Sequence, residues 1–177
     1  MTHLAEAAPQ AAAALDPAHF RATMARFASG VVVVTTRDAH GVPHGFTASS
    51  FCSVSLDPPL VLVCLAETSR SFEVFRTAQE CAISVLAEDQ GEVARRFASK
   101  SADKFSGHPF AAAANGALAV PGALAVVEGR IRQRHPAGDH VILVAEARRT
   151  QWREGRPMAY FGGDFHRLDD QQVVADK

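Results

Sequence analysis

Small hydroxyls crowd one stretch of the chain, from Gly45 to Pro59. Read with the two-residue period of a strand, Thr47, Ser49, Ser53 and Ser55 share one face, with Phe51 among them. Phe46, Ala48, Cys52, Val54 and Leu56 share the other parity and can face a core. Ser50 interrupts that apolar side, so Ser49-Ser50 is expected to mark a bulge or bend that re-aims side chains. Hydroxyls beside exposed backbone suit the polar edge of a flat heterocycle, which needs donors and acceptors at close approach. The same pattern also fits a half-exposed strand whose Thr and Ser are simply solvated.

A second cluster follows a strand. Thr68, Ser69 and Ser71 offer hydroxyls, Arg70 a fixed positive charge, and the helix that starts near Phe72 its free N–H groups. That combination can cradle a phosphate, because dipole and donors both favour an anion. The alternative is that Ser71 only caps the helix. The segment is not a Walker loop, since the required Gly and Lys are missing. Lys100 and Lys104 sit in a polar loop over residues 99–110, where lysine is ordinarily solvated. His140 follows the turn Pro136-Ala137-Gly138-Asp139 and begins a strand, a position that is more often structural than catalytic. His40 and His44 are four apart, but a hairpin does not put them on one helical face, so they read as surface residues and no metal site is expected.

The elements that must position these groups are mostly strands. Asp16-Pro17 supplies an N-cap and first helical residue, and Phe20, Met24 and Phe27 form a stripe read as core packing, ended by Ser29-Gly30. Val31–Val34 with Thr35-Thr36 is a buried strand, and the turn Asp38–Gly41 returns the chain as a hairpin. Leu60–Leu65 is apolar on both parities, the mark of a central strand, and Cys81–Leu86 is another strand. A helix opened by Glu88-Asp89 carries Val93, Ala94 and Phe97. From Ala123 to Arg134, Ala125, Val127 and Ile131 point one way while Glu128, Arg130, Arg132 and Arg134 form a solvent face. The partner strand runs from His140 to Trp152. Met158–Phe161 is the last short strand, and Gly162–His166 is a flexible loop.

Strand-rich hairpins without a regular βαβ alternation imply a mainly β fold, an antiparallel, closed or partly closed barrel with α-helices at its margin. A Gly-x-Gly-x-x-Gly fingerprint after a strand is missing, so a Rossmann domain would not hold a nicotinamide cofactor here. The 177 residues fit one domain, and the net charge of -1 gives no footprint for nucleic acid or an anionic membrane. No apolar run reaches the roughly 20 residues that span a bilayer, and the Ala-rich start lacks the features of a signal peptide. The expected organisation is a disordered N-terminal tail over 1–15, one domain over 16–170 and a C-terminal tail over 171–177. Three cysteines without a Cys-x-x-Cys pair read as buried free thiols in a reducing cytoplasm.

Taken in order, several motifs converge. Gly45-Phe46-Thr47-Ala48-Ser49-Ser50-Phe51, Ser53-Val54-Ser55-Leu56-Asp57-Pro58-Pro59-Leu60-Val61, Ser69-x-Ser71-Phe72, Lys104-Phe105 and Gly138-Asp139-His140 together resemble the flavin reductase domain of two-component flavin-dependent monooxygenases. The likeness runs from about Phe20 to Leu168. It implies a homodimeric, Greek-key-like split β-barrel that binds FMN or FAD near the subunit interface. The implied reaction is reduction of flavin by NADH or NADPH, with the reduced flavin diffusing to a separate monooxygenase.

On matching positions, the resemblance assigns Thr47, Ala48, Ser49 and Ser50 to the isoalloxazine edge and ribityl chain. Cys64, Leu65 and Ala66 lie along the flavin, and Ser69, Ser71 and Phe72 meet its phosphate end, with Lys104 as a second contact. Gly138, Asp139 and His140 face the nicotinamide nucleotide, and Phe165 stacks on nicotinamide or adenine. Hydride transfer requires the two rings to lie about 3–3.5 Å apart, and it needs no acid or base of its own, so His140 is cast as a positioning group. Two other readings stand beside this one: a flavoprotein that retains its flavin, and a non-catalytic module that binds flavin or haem.

Overall fold

The computed structural model describes residues 15–107 and 109–168. The expected tails over 1–15 and 171–177 lie outside it, apart from residue 15. Helix α1 (Pro17–Met24) is followed by β1 (Ser29–Gly30), β2 (Val32–Arg37), β3 (Pro43–Ala48), β4 (Cys52–Leu56) and β5 (Pro59–Ala66). Then come α2 (Phe72–Thr77), β6 (Glu80–Val85), α3 (Gly91–Ala98), β7 (Ala111–Ala112) and β8 (Leu118–Ala119). The chain closes with β9 (Ala125–Ala137), β10 (His140–Trp152), β11 (Met158–Phe161) and β12 (Asp164–Arg167). Among the described residues every strand pairing is antiparallel.

The main sheet has seven strands in the order β3-β2-β6-β9-β10-β5-β4. Its two edge strands, β3 and β4, are consecutive in the chain and joined only by Ser49, Ser50 and Phe51. Six steps of about 4.8 Å would set the edges of a flat sheet about 29 Å apart. A three-residue link spans at most about 15 Å. The sheet must therefore roll until its edges approach, and β3 does come up against β5. The result is the expected mainly β, partly closed barrel, split along the seam between β3 and β4–β5.

The β-branched run explains itself in this frame. Val32 and Val34 point into the barrel with Phe46, Leu65, Phe75 and Ile83. Val31 and Val33 point the other way, into a second core under α3 with Leu86, Ala94, Phe97 and Met158. Both parities are buried because each meets a different core. Phe75 and Phe97, 0% and 1% exposed, each contribute about 1.5–3 kcal/mol by leaving water.

Several expectations need correcting. Phe20, Met24 and Phe27 are 51%, 53% and 76% exposed, and α1 ends at Met24 with no buried residue. Cys52, Val54 and Leu56 face outward, because β4 lies at the far edge of the sheet and the break at 49–51 does not carry parity across. Of the thiols only Cys81 is buried; Cys64 is intermediate and Cys52 exposed. Burial, with Glu80 beside it, pushes the Cys81 thiol up to about 12, so it is unreactive. The core side of β5 alternates, with Val61, Val63 and Leu65 inward and Leu62 and Cys64 half-exposed. Register shifts in the β9–β10 ladder break the alternation of β9: Val126 and Glu128 are buried, while Arg134 is half-buried and donates from Nε to Phe75 O at the end of α2. Residues 164–167 form a strand, β12, which pairs with β11 through the turn at Gly162-Gly163. Among the described residues no helix is long and apolar enough to cross a membrane.

Candidate functional site

Where the sheet fails to close, a cavity of about 370 Å³ opens. One wall is the end of β3 and its exit, Thr47, Ala48, Ser49 and Ser50; the facing wall is the end of β5, Cys64, Leu65 and Ala66. The gap is bridged by one side chain. Ser50 Oγ accepts from Cys64 N–H at 2.9 Å and donates to Cys64 O at 3.4 Å, replacing the backbone partner that β4 no longer supplies beyond Cys52. Residues 49–51 thus lie outside both ladders, and Ser49 and Ser50 line the cavity. The predicted bend is present, and it is the reason the site exists.

The hydroxyls do not all face a ligand. Thr47 Oγ1 donates to Ala94 O of α3 at 2.7 Å, which locks β3 to the helix above it. Ser49 is exposed at the cavity mouth. Gly45 must be glycine: a Cβ there would meet Phe97 Cε1 at 2.7 Å and Val34 O at 2.9 Å.

After Ala66 the chain turns through Thr68, Ser69 and Arg70, all of which line the cavity. Ser71 does not. It is buried, and its Oγ donates to Gly45 O at 3.0 Å without capping α2. Phe72 packs against the barrel core. Lys104, ordinarily solvated in such a loop but a second phosphate contact on the resemblance, is only 6% exposed; its Nζ donates to Phe97 O at 2.8 Å and Gly45 O at 3.2 Å, and it reaches the cavity wall. Burial, and then the charge of Arg70, hold the Lys104 ammonium below the usual lysine range. Phe97, Ala98, Ser99 and Lys100 complete that side. Sequence reasoning missed this contribution of α3 and its exit. The only signal was that a helix with a buried Phe97 runs directly into a loop with two lysines.

His140 lines the cavity from the start of β10, opposite Ala66 in the ladder. Its Nδ1 donates to Asp139 Oδ1 at 2.7 Å, and that bond and the charge of His140 hold the exposed Asp139 carboxyl below its ordinary range. Gly138 has φ +64, which fits the tight turn. Asp139 O also accepts from Glu67 N–H at 3.0 Å, fixing the turn to the end of β5. Gly138 and Asp139 themselves stand outside the cavity lining. Phe165 lies elsewhere: it packs on Tyr160 and under Arg95, in a separate cavity of about 300 Å³ beyond α3.

The lining thus combines small hydroxyls at Thr47, Ser49 and Ser50, the short facing stretch Cys64, Leu65 and Ala66, and cations on one wall. It matches a flat heterocycle carrying a phosphate, the chemistry of a flavin nucleotide. His44 pairs with Asp38 at 3.2 Å, and the described residues hold no group of three or more His, Cys, Asp or Glu suited to a metal ion.

Comparison with known proteins converges on the same ligand. The flavin reductase like domain matches residues 24–169. The chain is 52% identical over 156 residues to the actinorhodin polyketide dimerase of Streptomyces coelicolor, covering 88% of each protein. It is 35% identical over 165 residues to the reductase subunit of a flavin-dependent monooxygenase of Rhodococcus jostii, covering 93% of this chain and 84% of that one. Among solved structures, the NADH:FAD oxidoreductase of Streptomyces globisporus, in complex with NAD and FAD fragments, superposes with a TM-score of 0.83 at 34% identity over 88% of this chain and 94% of that one.

Proposed function

We propose that this chain, which belongs to the flavin reductase like domain family, is an NAD(P)H:flavin oxidoreductase that reduces FMN or FAD and releases the reduced flavin to a partner monooxygenase. The observation that carries this reading is the seam cavity, with Ser49 and Ser50 on one wall, Cys64, Leu65 and Ala66 on the facing wall and the cations Arg70 and Lys104 at its side. Flavin bound there supplies the two-electron acceptor for hydride from a reduced nicotinamide.

The chain's own residues bind and orient. The chain at Ser49 and Ser50, where β3 has ended, holds a polar ring edge. Arg70 and Lys104 attract the phosphate, with Ser69 beside them. Ser71 and Phe72 act from behind, by fixing the turn. His140, steadied by Asp139, hydrogen-bonds the nicotinamide nucleotide at the cavity mouth. No residue of the site has to serve as acid or base, so His140→Ala should raise the KM for NADH and lower kcat only modestly.

The functional unit in this reading is a homodimer. The uncovered stripe of α1 and the half-exposed apolar face formed by Leu62, Cys64, Ile142 and Val144, with exposed Cys52, Val54 and Leu56 beside it, support a second copy as the surface that covers them. The free cysteines suit the reducing cytoplasm in which NADH is supplied.

The test is NADH oxidation by flavin-stripped protein, with and without excess free FMN or FAD. Saturable turnover that depends on added flavin is the expected result. Protein that binds flavin but turns over neither nicotinamide nucleotide would overturn the reading and leave an electron-transfer or storage module.

A further inference from the structure

A single hydroxyl clasps the seam. The β3 ladder ends at Ala48, and the β4–β5 ladder runs no further than the pair Cys52 and Leu62. Cys64 lies two residues past that last pair, and Ser50 takes the place of a backbone partner. Its Oγ accepts from Cys64 N–H at 2.9 Å, while its contact to Cys64 O, at 3.4 Å, is long for an O–H···O bond. The first bond is the firm one. Ser50 and Cys64 are both half-buried and line the seam cavity from opposite walls. Each end of the clasp is anchored. Leu65, next to Cys64, is buried in the barrel core, and Phe51, next to Ser50, packs against that same core. With both ends held, the hydroxyl between them sets how far apart the two walls stand.

We infer that Ser50 is a positioning residue for hydride transfer, acting through the Cys64 peptide and not by touching the ligand with its hydroxyl. The inference rests on the flavin reading of the seam cavity. A ring held between these walls must meet the nicotinamide at about 3–3.5 Å, and a misplacement of about 1 Å costs about a hundredfold in rate. A serine hydroxyl has one proton and two lone pairs. Here one lone pair takes Cys64 N–H, and the proton is shared with Cys64 O. Removing the hydroxyl leaves an amide unpaired on the cavity wall. Without ligand, water in the open cavity can take that amide, so the cost to folding is small. A bound flavin expels the water, and the wall then shifts against the ring.

The experiment is anaerobic stopped-flow reduction of flavin-loaded protein by NADH, run with FMN and with FAD on wild type, Ser50→Ala, Ser50→Cys and Ser50→Thr. The flavin Kd from fluorescence and the thermal midpoint of the unliganded protein are measured beside it. Loss of flavin absorbance at saturating NADH reads the hydride step directly. Ser50→Ala should slow that step by at least about tenfold. Its flavin Kd should stay within about threefold, and its midpoint within about 2 °C. Ser50→Thr keeps the hydroxyl and should recover the rate to within about threefold. Ser50→Cys, whose thiol is a weak acceptor, should fall between. A Kd raised about tenfold with the saturated rate unchanged would make the hydroxyl a direct ligand contact and overturn the inference. So would a wild-type rate in Ser50→Ala, or equal losses in all three variants with no recovery in Ser50→Thr. Should Ser50→Ala fail to fold, the order of Ser50→Thr above Ser50→Cys still decides. Wild type that binds flavin but is not reduced by NADH overturns the reductase reading and the role of Ser50 with it; the other outcomes strike Ser50 alone.

Discussion

Two helices of the same length meet opposite fates. α1 and α3 are each eight residues long, and each carries an apolar stripe. In α3, Ala94 and Phe97 are 0% and 1% exposed, and side chains from two other segments grip its carbonyls, Thr47 at Ala94 and Lys104 at Phe97. α1 buries nothing. Its ties are the Asp16 N-cap and a bond from Gly162 N–H to Ala25 O just past its end. Helices this short are marginal on propensity alone and depend on packing. α3 takes that packing from its own chain, while among the described residues α1 has none. Periodicity identifies the apolar side of a helix; it does not say whether that side is covered.

The largest effect should come from breaking α3. Phe97→Ala removes a ring that contacts Phe105 and Phe110 and lines the seam cavity. Urea unfolding should lose about 3–5 kcal/mol, and flavin affinity should fall with it. A change under about 1 kcal/mol would mean that the site collapses without penalty, contrary to the packing seen. The matching change in α1, Phe20→Ser with Met24→Ser, should barely alter the unfolding of a monomer. If a second copy covers that stripe, sedimentation should show the dimer dissociation constant raised by at least about tenfold. An unchanged sedimentation profile removes α1 from the interface.

A smaller effect, set by pH, tests the Lys104 contact to α3. Burial holds the ammonium below its ordinary range, so the folded state binds this proton less tightly than the unfolded chain does. Where the two states differ in protonation the unfolded chain holds more proton, and stability rises with pH. The cost is therefore fully present at neutral pH and is relieved as pH climbs towards 10.5, the ordinary lysine value. Thermal unfolding of wild type against Lys104→Met should show wild type gaining on the variant across that alkaline window. Parallel pH profiles would show that the ammonium is better solvated than its burial implies.

Local signals were legible in the sequence, and signals that depend on a distant partner were not. Asp16-Pro17 marked its helix because a cap is satisfied within three residues. The turn before His140 and the bend at Ser49-Ser50 were readable for the same reason, and the barrel followed from the density of hairpins. The inward face assigned to Cys52, Val54 and Leu56 failed because parity was counted through Ser49–Phe51, where the chain leaves one edge of the sheet and enters the other. The alternation of β9 failed at its register shifts. From its loop alone Lys104 read as solvated, because one of its two acceptors, Gly45 O of β3, lies 59 residues away, although the other, Phe97 O, is only seven residues back. Phe165 could not be placed by composition, since only the β11–β12 hairpin shows that it sits beyond α3.

The smallest expected effect separates two roles for one hydroxyl. Thr47 reads from the sequence as part of a ligand-facing row, yet its Oγ1 is engaged by Ala94 O at 2.7 Å. Thr47→Val keeps the shape and removes that bond. A typical intramolecular hydrogen bond contributes about 0.5–1.5 kcal/mol, so unfolding should lose roughly 1 kcal/mol while flavin affinity stays within about twofold, and Thr47→Ser should restore the stability. The reverse pattern, intact stability with flavin affinity lowered about tenfold, would mean that the hydroxyl turns to the ligand when it binds. In that case α3 would be held over the site by its buried face and by Lys104 alone, and its contrast with α1 would rest on packing rather than on hydrogen bonds.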